Sequence, residues 1–316
     1  MDTKHDLLNM ITRYKKYNWS KKDICRKWGI SPQRFYLDEN QQNQFVSIPV
    51  RLNPNRITEK EKATIIEYAL SHTLYNHREL SYRMIDENVA YMSPSSVYRI
   101  LRESNLIFIR EKRRIPQKWD PHEKLTKPDE LWQTDLMNIS YKERDYYFFS
   151  YMDVFSRYTV YHELLASMTG DTIKNTTEEA FRITGKNPQS IQSDNGSCYI
   201  SQEYKSCISK FNIESRYIHP HCPNENAEIE RYHRTLRELI DPNEAENFDA
   251  LHKLIKEQVY YYNHERYHSA IGFITPYDKY TGKAEKIFSE RTNKLQKAKE
   301  RRIKENLNLY KNQKAA

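Results

Sequence analysis

The sequence predicts an α/β layered core preceded by all-α helix-turn-helix domains. Three observations lead there. Within the first 107 residues apolar positions recur at helical spacing, twice behind a Ser-Pro start, at Ser31 and Pro32 and again at Ser93 and Pro94. From residue 131 the pattern changes to strand-like alternation interrupted by helical stretches. Charge is also partitioned along the 316 residues: positions 1–130 carry net +7, 131–290 net −6 and 291–316 net +7. Basic flanks suit a polyanion, because Lys and Arg neutralise phosphates and release their counterions.

Composition removes several classes. With 38% hydrophobic and 30% charged residues the chain supports packed cores under a charged surface. It has six glycines and neither GxGxxG nor GxxxxGK[ST], so a Gly-rich nucleotide loop is not expected. No run of 18 apolar residues occurs, which excludes a helical membrane span, and "MDTKHDLLNM" lacks a signal-peptide core. The expected setting is the cytosol. Cys25, Cys198, Cys207 and Cys222 include no CxxC pair, and "HPHC" at 219–222 lacks a second ligand pair for zinc.

The helical third comes first. In "WSKKDICRKWGISPQRFYLD", Ile24, Cys25 and Trp28 share a face and Gly29 ends the helix. Ser31 caps a second helix that presents Gln33 and Arg34, a helix-turn-helix reading for residues 1–50. Residues 51–109 repeat the pattern. Thr58 and Glu61 have capping-box spacing ahead of Ile65, Ile66, Ala69 and Leu70. "RELSYRMID" is a short second helix. Ser93 and Pro94 then open a third, with Val97, Ile100 and Leu101 inward and Ser95, Arg99 and Arg102 outward. Gln33, Arg34, Arg99 and Arg102 are the expected DNA contacts. Residues 110–130, basic, proline-containing and aperiodic, read as a linker.

The core spans 131–285. "LWQTDLMNISY", "YYFFSYMDVF" and "RYTVYHELL" are three strands with short connections, an antiparallel meander. "DTIKNTTEEAFRIT" is a helix, "PQSIQSD" a strand, "SQEYKSCISKF" a helix and "IESRYIHP" a strand. "NENAEIERYHRTLRELI" closes the series as a helix capped by Asn224 after Pro223. Asp135 lies inside the first strand among large apolar residues. A buried, unpaired aspartate there is costly, so it needs a partner, and a divalent cation is one. Asp194 follows the fourth strand at its C-terminal end, where open α/β sheets place ligands. Glu230 lies on the last helix with 35 residues between it and Asp194; Glu228 points elsewhere on that helix.

"WQTDLMNI", "SDNGS" and "PNENAEIERYHRTLR" resemble the three signature segments of integrase-core D-D-E recombinases, the transposases of bacterial insertion sequences and relatives of retroviral integrase. "YYNHERYHSAIGFITPYDKY" resembles the segment that ends that core. The likeness covers about residues 128 to 280, with 58–107 similar to the family's N-terminal helix-turn-helix. Glu225 departs from it, since relatives carry Asp there.

The resemblance implies a ribonuclease-H-like core with Asp135, Asp194 and Glu230 as catalytic residues and as ligands of two Mg²⁺ (or Mn²⁺) ions. Asp135 would bridge the ions, with water and then a freed 3′-hydroxyl as nucleophile. It implies double-stranded DNA as partner, both the terminal inverted repeats of an element and target DNA, a homo-oligomer on that DNA, and a place at the bacterial nucleoid. Alternatives are a ribonuclease-H-like nuclease without strand transfer and a DNA-binding repressor that has lost activity. Around the acids, Asn195, Gly196 and Ser197 shape the loop and Asn226 caps or orients the helix. His233, Arg234 and Arg237 extend from Glu230 as a phosphate-gripping stripe or a solvated face. Asn263 reads as support; Arg266 and His268 stay open between DNA contact and support. The tail 286–316 reads as a basic helix whose stretch 291–316 binds DNA backbone or a second protomer. Its thin apolar stripe (Leu295, Ile303, Leu307 and Leu309) needs a partner surface.

Overall fold

A computed structural model describes Ser20 and residues 53–107, 125–219 and 222–315. The expected first helix-turn-helix, with Gln33 and Arg34, and most of the expected linker lie outside the described residues. Residues 55–305 form one compact unit; residues 1–54 with 306–316 form another.

The first unit named opens with helices α1 (Glu59–Ser71), α2 (His77–Asp86) and α3 (Pro94–Glu103). Their starts follow from local chemistry. Thr58 and Glu61 exchange the two hydrogen bonds of a capping box, Asn76 accepts from Arg78 and Glu79, and Ser93 accepts from Ser96 with Pro94 in the first turn. Ile65, Leu80, Met84, Val97, Ile100 and Leu101 meet as the core of the trio. Arg99 and Arg102 remain exposed on α3.

The core domain is built on a five-stranded sheet in the order β3-β2-β1-β4-β5, comprising β1 (Leu131–Tyr141), β2 (Arg144–Asp153), β3 (Thr159–Leu165), β4 (Ser190–Ser193) and β5 (Glu214–Tyr217). β1, β2 and β3 are the expected antiparallel meander, and Tyr141 pairs with Arg144 across a two-residue turn. β4 and β5 run parallel to β1. Between β3 and β4 comes α4 (Gly170–Thr184). α5 (Ser197–Ile200) and α6 (Gln202–Lys210) precede β5, and α7 (Ala227–Leu239) and α8 (Phe248–His264) follow it.

Strand alternation sends β1's side chains to two separate cores. Met137, Ile139 and Tyr141 pack against Ile229, Tyr232 and Leu236 of α7 and against α8. Trp132 on the opposite face packs with Tyr151, Ile191, Phe181 of α4 and Tyr204 of α6. A central strand covered on both faces by helices, in this strand order and direction, is the ribonuclease-H-like arrangement.

Two local expectations change. The last core helix does not begin at Asn224: Pro223–Asn226 is a 3₁₀ turn, and α7 starts at Ala227 with no side-chain cap from Asn226. The tail differs more. After α9 (Pro276–Tyr280), α10 runs from Ala284 to Ala315, and its charged residues are not all free for DNA. Arg291 is 4% exposed and holds Asp86 of α2 at 2.6 Å; Arg302 is 5% exposed and holds Glu61 of α1 at 2.8 Å. Lys294 donates to the Ile85 carbonyl between them. Positions 291, 294, 298 and 302 recur at helical spacing and form the face that meets the trio; the expected apolar stripe does not form that face, since Leu307 and Leu309 are exposed. Lys297, Lys299, Arg301 and Lys304 stay exposed.

Removing one member of a buried ion pair leaves the other uncompensated, at about 3–5 kcal/mol. Arg291→Leu is therefore expected to lower the unfolding free energy by that order, read as a lower urea midpoint, and Asp86→Leu added to it to recover part of the loss. An unchanged midpoint in Arg291→Leu would mean that the pair does not hold α10 to the trio.

Candidate active site

The site is assembled by two parallel strands and one helix. β1 and β4 are in register at Gln133 and Gln192. Both glutamines donate to one acceptor, the Glu225 carbonyl just before α7. Two residues further along each strand, on the same face, stands an aspartate: Asp135 in β1 and Asp194 after β4. The repeated Gln-x-Asp (Gln133 to Asp135, Gln192 to Asp194) is thus one device used on neighbouring strands. The sequence does not reveal it, because the pairing of β1 with β4 is not written in either segment.

Gln133 also sets the helix. Its Oε1 accepts from the Ile229 N–H at 3.0 Å, one of the first-turn donors that an α-helix cannot satisfy itself. This replaces the expected cap from Asn224. Its Nε2 donates to Glu228 at 3.1 Å, and Glu228 pairs with Arg157 at 3.3 Å, so Glu228 does point away from the acids. Ile229 is fully buried in the core beneath α7, which places Glu230 beside it at the surface. One helical turn past Ile229, His233 reaches Asp135: its Nδ1 is 3.3 Å from Oδ2, and its Nε2 is 3.3 Å from the Ser150 hydroxyl. Two strand residues and four helical residues advance by nearly the same length, about 6–7 Å, so Gln133 and Asp135 can grip consecutive turns of α7.

His233 is 2% exposed, which corrects its place in the phosphate-gripping stripe. Spaced three residues from Glu230, it turns inward to the sheet and holds Asp135. Arg234 and Arg237 remain exposed. Asp194 is shaped by its loop: Oδ1 accepts from the Gly196 N–H at 2.9 Å, and a Cβ on Gly196 would lie 2.9 Å from that same oxygen. Asn195 ties the loop to the Ile218 carbonyl at 2.9 Å. Asn263 clamps both backbone groups of Thr159, giving and taking one hydrogen bond, the support expected of it.

The three acids feel one another. Burial, and after it the charge of Asp135, raises the Asp194 carboxyl, while the Gly196 N–H opposes the rise. Partial desolvation and then Asp135 raise Glu230, opposed by Arg234 and His233. Asp135 is the common neighbour, with Oδ1 also accepting from its own strand at Leu136. Among the described residues no three His, Cys, Asp or Glu side chains form a ready metal cage. The donor set nevertheless fits Mg²⁺ or Mn²⁺ in kind: hard carboxylate oxygens, few in number, open to solvent at Glu230. A cation there would relieve the repulsion that both shifts record.

Away from this site, Ser95 and Arg99 of α3 line a shallow recess with His77, Arg78, Pro94 and Tyr98.

Two family models described as integrase core domain match residues 126–223 and 212–276. Over 158 residues the chain is 31% identical to the transposase for insertion sequence element IS904 of Lactococcus lactis, covering 49% of this chain and 62% of that protein. It is 30% identical over 113 residues to the Gag-Pro-Pol polyprotein of human T-cell leukemia virus 3, covering 36% of this chain and 8% of that protein. The HTLV-2 integrase catalytic core domain in complex with magnesium aligns with 49% of this chain and 97% of its own, at 20% identity and a TM-score of 0.41. No helix among the described residues is long and apolar enough to cross a membrane.

Raised carboxyl pKa values have a signed consequence. The fold binds protons that the unfolded chain has already released, so stability is greatest at low pH and falls as pH rises through the folded values. In metal-free protein, Asp194→Asn and Glu230→Gln are each expected to be more stable than the parent at neutral pH. That difference should close as pH falls toward the ordinary carboxylate range. Urea midpoints between about pH 4 and about pH 8 would show it; parallel curves for parent and variants would mean that neither burial nor Asp135 raises these carboxyls.

Proposed function

From the integrase core that residues 126–276 carry, we propose that this protein is a DNA transposase of a bacterial insertion sequence. It nicks the ends of its element and joins the freed 3′-hydroxyl to target DNA. The observation that supports this most is that the charge of Asp135 on β1 acts both on Asp194, after β4, and on Glu230, on α7. Both steps are in-line displacements at a phosphodiester, with water as the first nucleophile and the 3′-hydroxyl as the second, so one site serves both.

Asp135, Asp194 and Glu230 would hold two Mg²⁺ or Mn²⁺ ions. When bound, such ions activate the attacking oxygen and stabilise the leaving one. The chain's own residues keep the carboxylates in place for this. His233 fixes Asp135 from the core side, and the Gly196 N–H fixes Asp194. Gln133 seats the first turn of α7 and so the height of Glu230 above the sheet. Exposed Arg234 and Arg237 continue from Glu230 along α7, where they would meet phosphates of the same DNA. Arg99 and Arg102 of α3, together with Gln33 and Arg34, would read the terminal inverted repeats. The protein would act as a homo-oligomer on two DNA ends, at the bacterial nucleoid.

The test uses labelled duplexes carrying the repeats that flank the gene, with Mg²⁺. Asp135→Asn, Asp194→Asn and Glu230→Gln are each expected to lower cleavage by about a thousandfold or more while retaining DNA binding. Glu238→Gln, exposed on the same helix, should leave cleavage unchanged. Strong residual cleavage in one of the three would remove that residue from the site. Nicks without joined products would make the protein a nuclease, and binding without nicks a repressor.

A further inference from the structure

A second cluster borders the first turns of α7. Arg157, in the β2–β3 connection, is anchored by Glu228 at 3.3 Å and by the Val154 carbonyl at 2.8 Å. Arg231 lies three residues past Glu228, on the same side of the helix, and is exposed. Next to it Tyr232 packs edge-on against Tyr262 of α8, with ring centres 4.7 Å apart, and Tyr262 packs edge-on against His268 at 6.3 Å. The segment after α8 thus brings Arg266 and His268 up to the arginines of α7 and the β2–β3 connection.

The polar atoms here are not satisfied within the chain. Arg266 Nε and His268 Nδ1 are both buried and both without a hydrogen-bond partner. Buried donors are rarely left so, because each forfeits the hydration it had in water. The local charge points one way. Burial and then Arg157, Arg266 and Arg231 push the His268 imidazole down to about 4, and no carboxylate acts on it. The same three arginines act on Tyr262. Glu228 is engaged by Arg157 and by Gln133. What remains is a cluster of two guanidinium groups without a side-chain partner among the described residues, a neutral imidazole with an unpaired ring nitrogen, and the N-terminal end of α7.

We propose that Arg157, Arg231, Arg266 and His268 form a phosphate-binding site beside, and separate from, the three acids, which takes one backbone phosphate of the DNA strand lying across α7. Arg231 and Arg266 supply the charge and the paired donors that a phosphate oxygen accepts; His268 supplies a single donor from its Nδ1–H tautomer. Arg157 is the fixed wall, held by Glu228. Because Arg231 directly follows Glu230 on the helix, this phosphate would sit close to the bond being cut, and the site would set the register of the strand against the acids. Arg234 and Arg237 lie one and two turns further along α7 and would meet a different stretch of backbone. The proposal rests on DNA being the substrate but not on cleavage.

The test is therefore made without cleavage. Full-length protein in EDTA is titrated with a random-sequence duplex across a chloride series. Each phosphate neutralised contributes roughly 0.9 to the log–log salt slope. Arg231→Gln and Arg266→Gln are each expected to flatten the slope by less than about 0.9, and the double variant to flatten it by about 0.9 in all, because both engage one phosphate. An unchanged slope in the double variant overturns the site. So does a double variant that loses about 1.8, since the two arginines would then hold separate phosphates. Thermal melts confirm that each variant is folded; if Arg266→Gln is not, exposed Arg231→Glu, which sets a carboxylate at the same phosphate, must flatten the slope by about 0.9 or the site is overturned. A protein that passes while failing to cut any DNA keeps this site and loses the transposase reading.

Discussion

The geometry of the acids depends on how Gln133 ties the first turn of α7 to the central strand. A helix start has orphan N–H groups, and a strand centre has no spare backbone acceptors to give them. A glutamine side chain meets both needs, accepting from Ile229 and donating to the Glu225 carbonyl and to Glu228. Gln192 repeats the second contact from the neighbouring strand. Once α7 is seated, strand and helix advance together, and Asp135 meets His233 one turn later. The acids are therefore placed by amides, and those amides are as much part of the site as the carboxylates.

The arrangement trades stability for chemistry. Three acids near one another lie partly out of water, and two of them are held above their ordinary pKa in consequence. The rest of the fold offsets this with features that carry no reaction: two apolar cores on either face of the sheet, the Asn263 clamp on β3, and α10 fastened to the helical trio by Arg291 and Arg302. Burying an arginine is costly unless its partner is close and the pair is well hydrogen-bonded, which both pairs achieve.

Much of the fold was legible because local chemistry decides it. Thr58 with Glu61 and Ser93 with Pro94 announce helix starts that need no tertiary knowledge, and alternation announces the meander. Asp135 stood out as an acid in a strand that should not hold one. Other features depend on which elements meet. Nothing in "ERYHRTL" says that His233 turns toward the sheet while Arg234 does not; that follows only once β1 lies beneath α7. The tail reads in the sequence as a basic helix for DNA or a second protomer, because the spacing of Arg291, Lys294 and Arg302 becomes a docking face only opposite Asp86, Ile85 and Glu61. Gln133 and Gln192 were passed over because a polar residue in a strand is common, and only the parallel pairing makes two of them one seat.

In the proposed reading, Asp135, Asp194 and Glu230 act as one cation-binding unit centred on Asp135. Thermal denaturation of metal-free protein titrated with Mn²⁺ tests it most directly, since a ligand bound only by the folded state raises the melting temperature with its concentration. The account predicts a saturable rise in the parent protein, a loss of that rise in Asp135→Asn, and a weakened rise in Asp194→Asn and Glu230→Gln. A rise of the same size and midpoint in Asp135→Asn would contradict it.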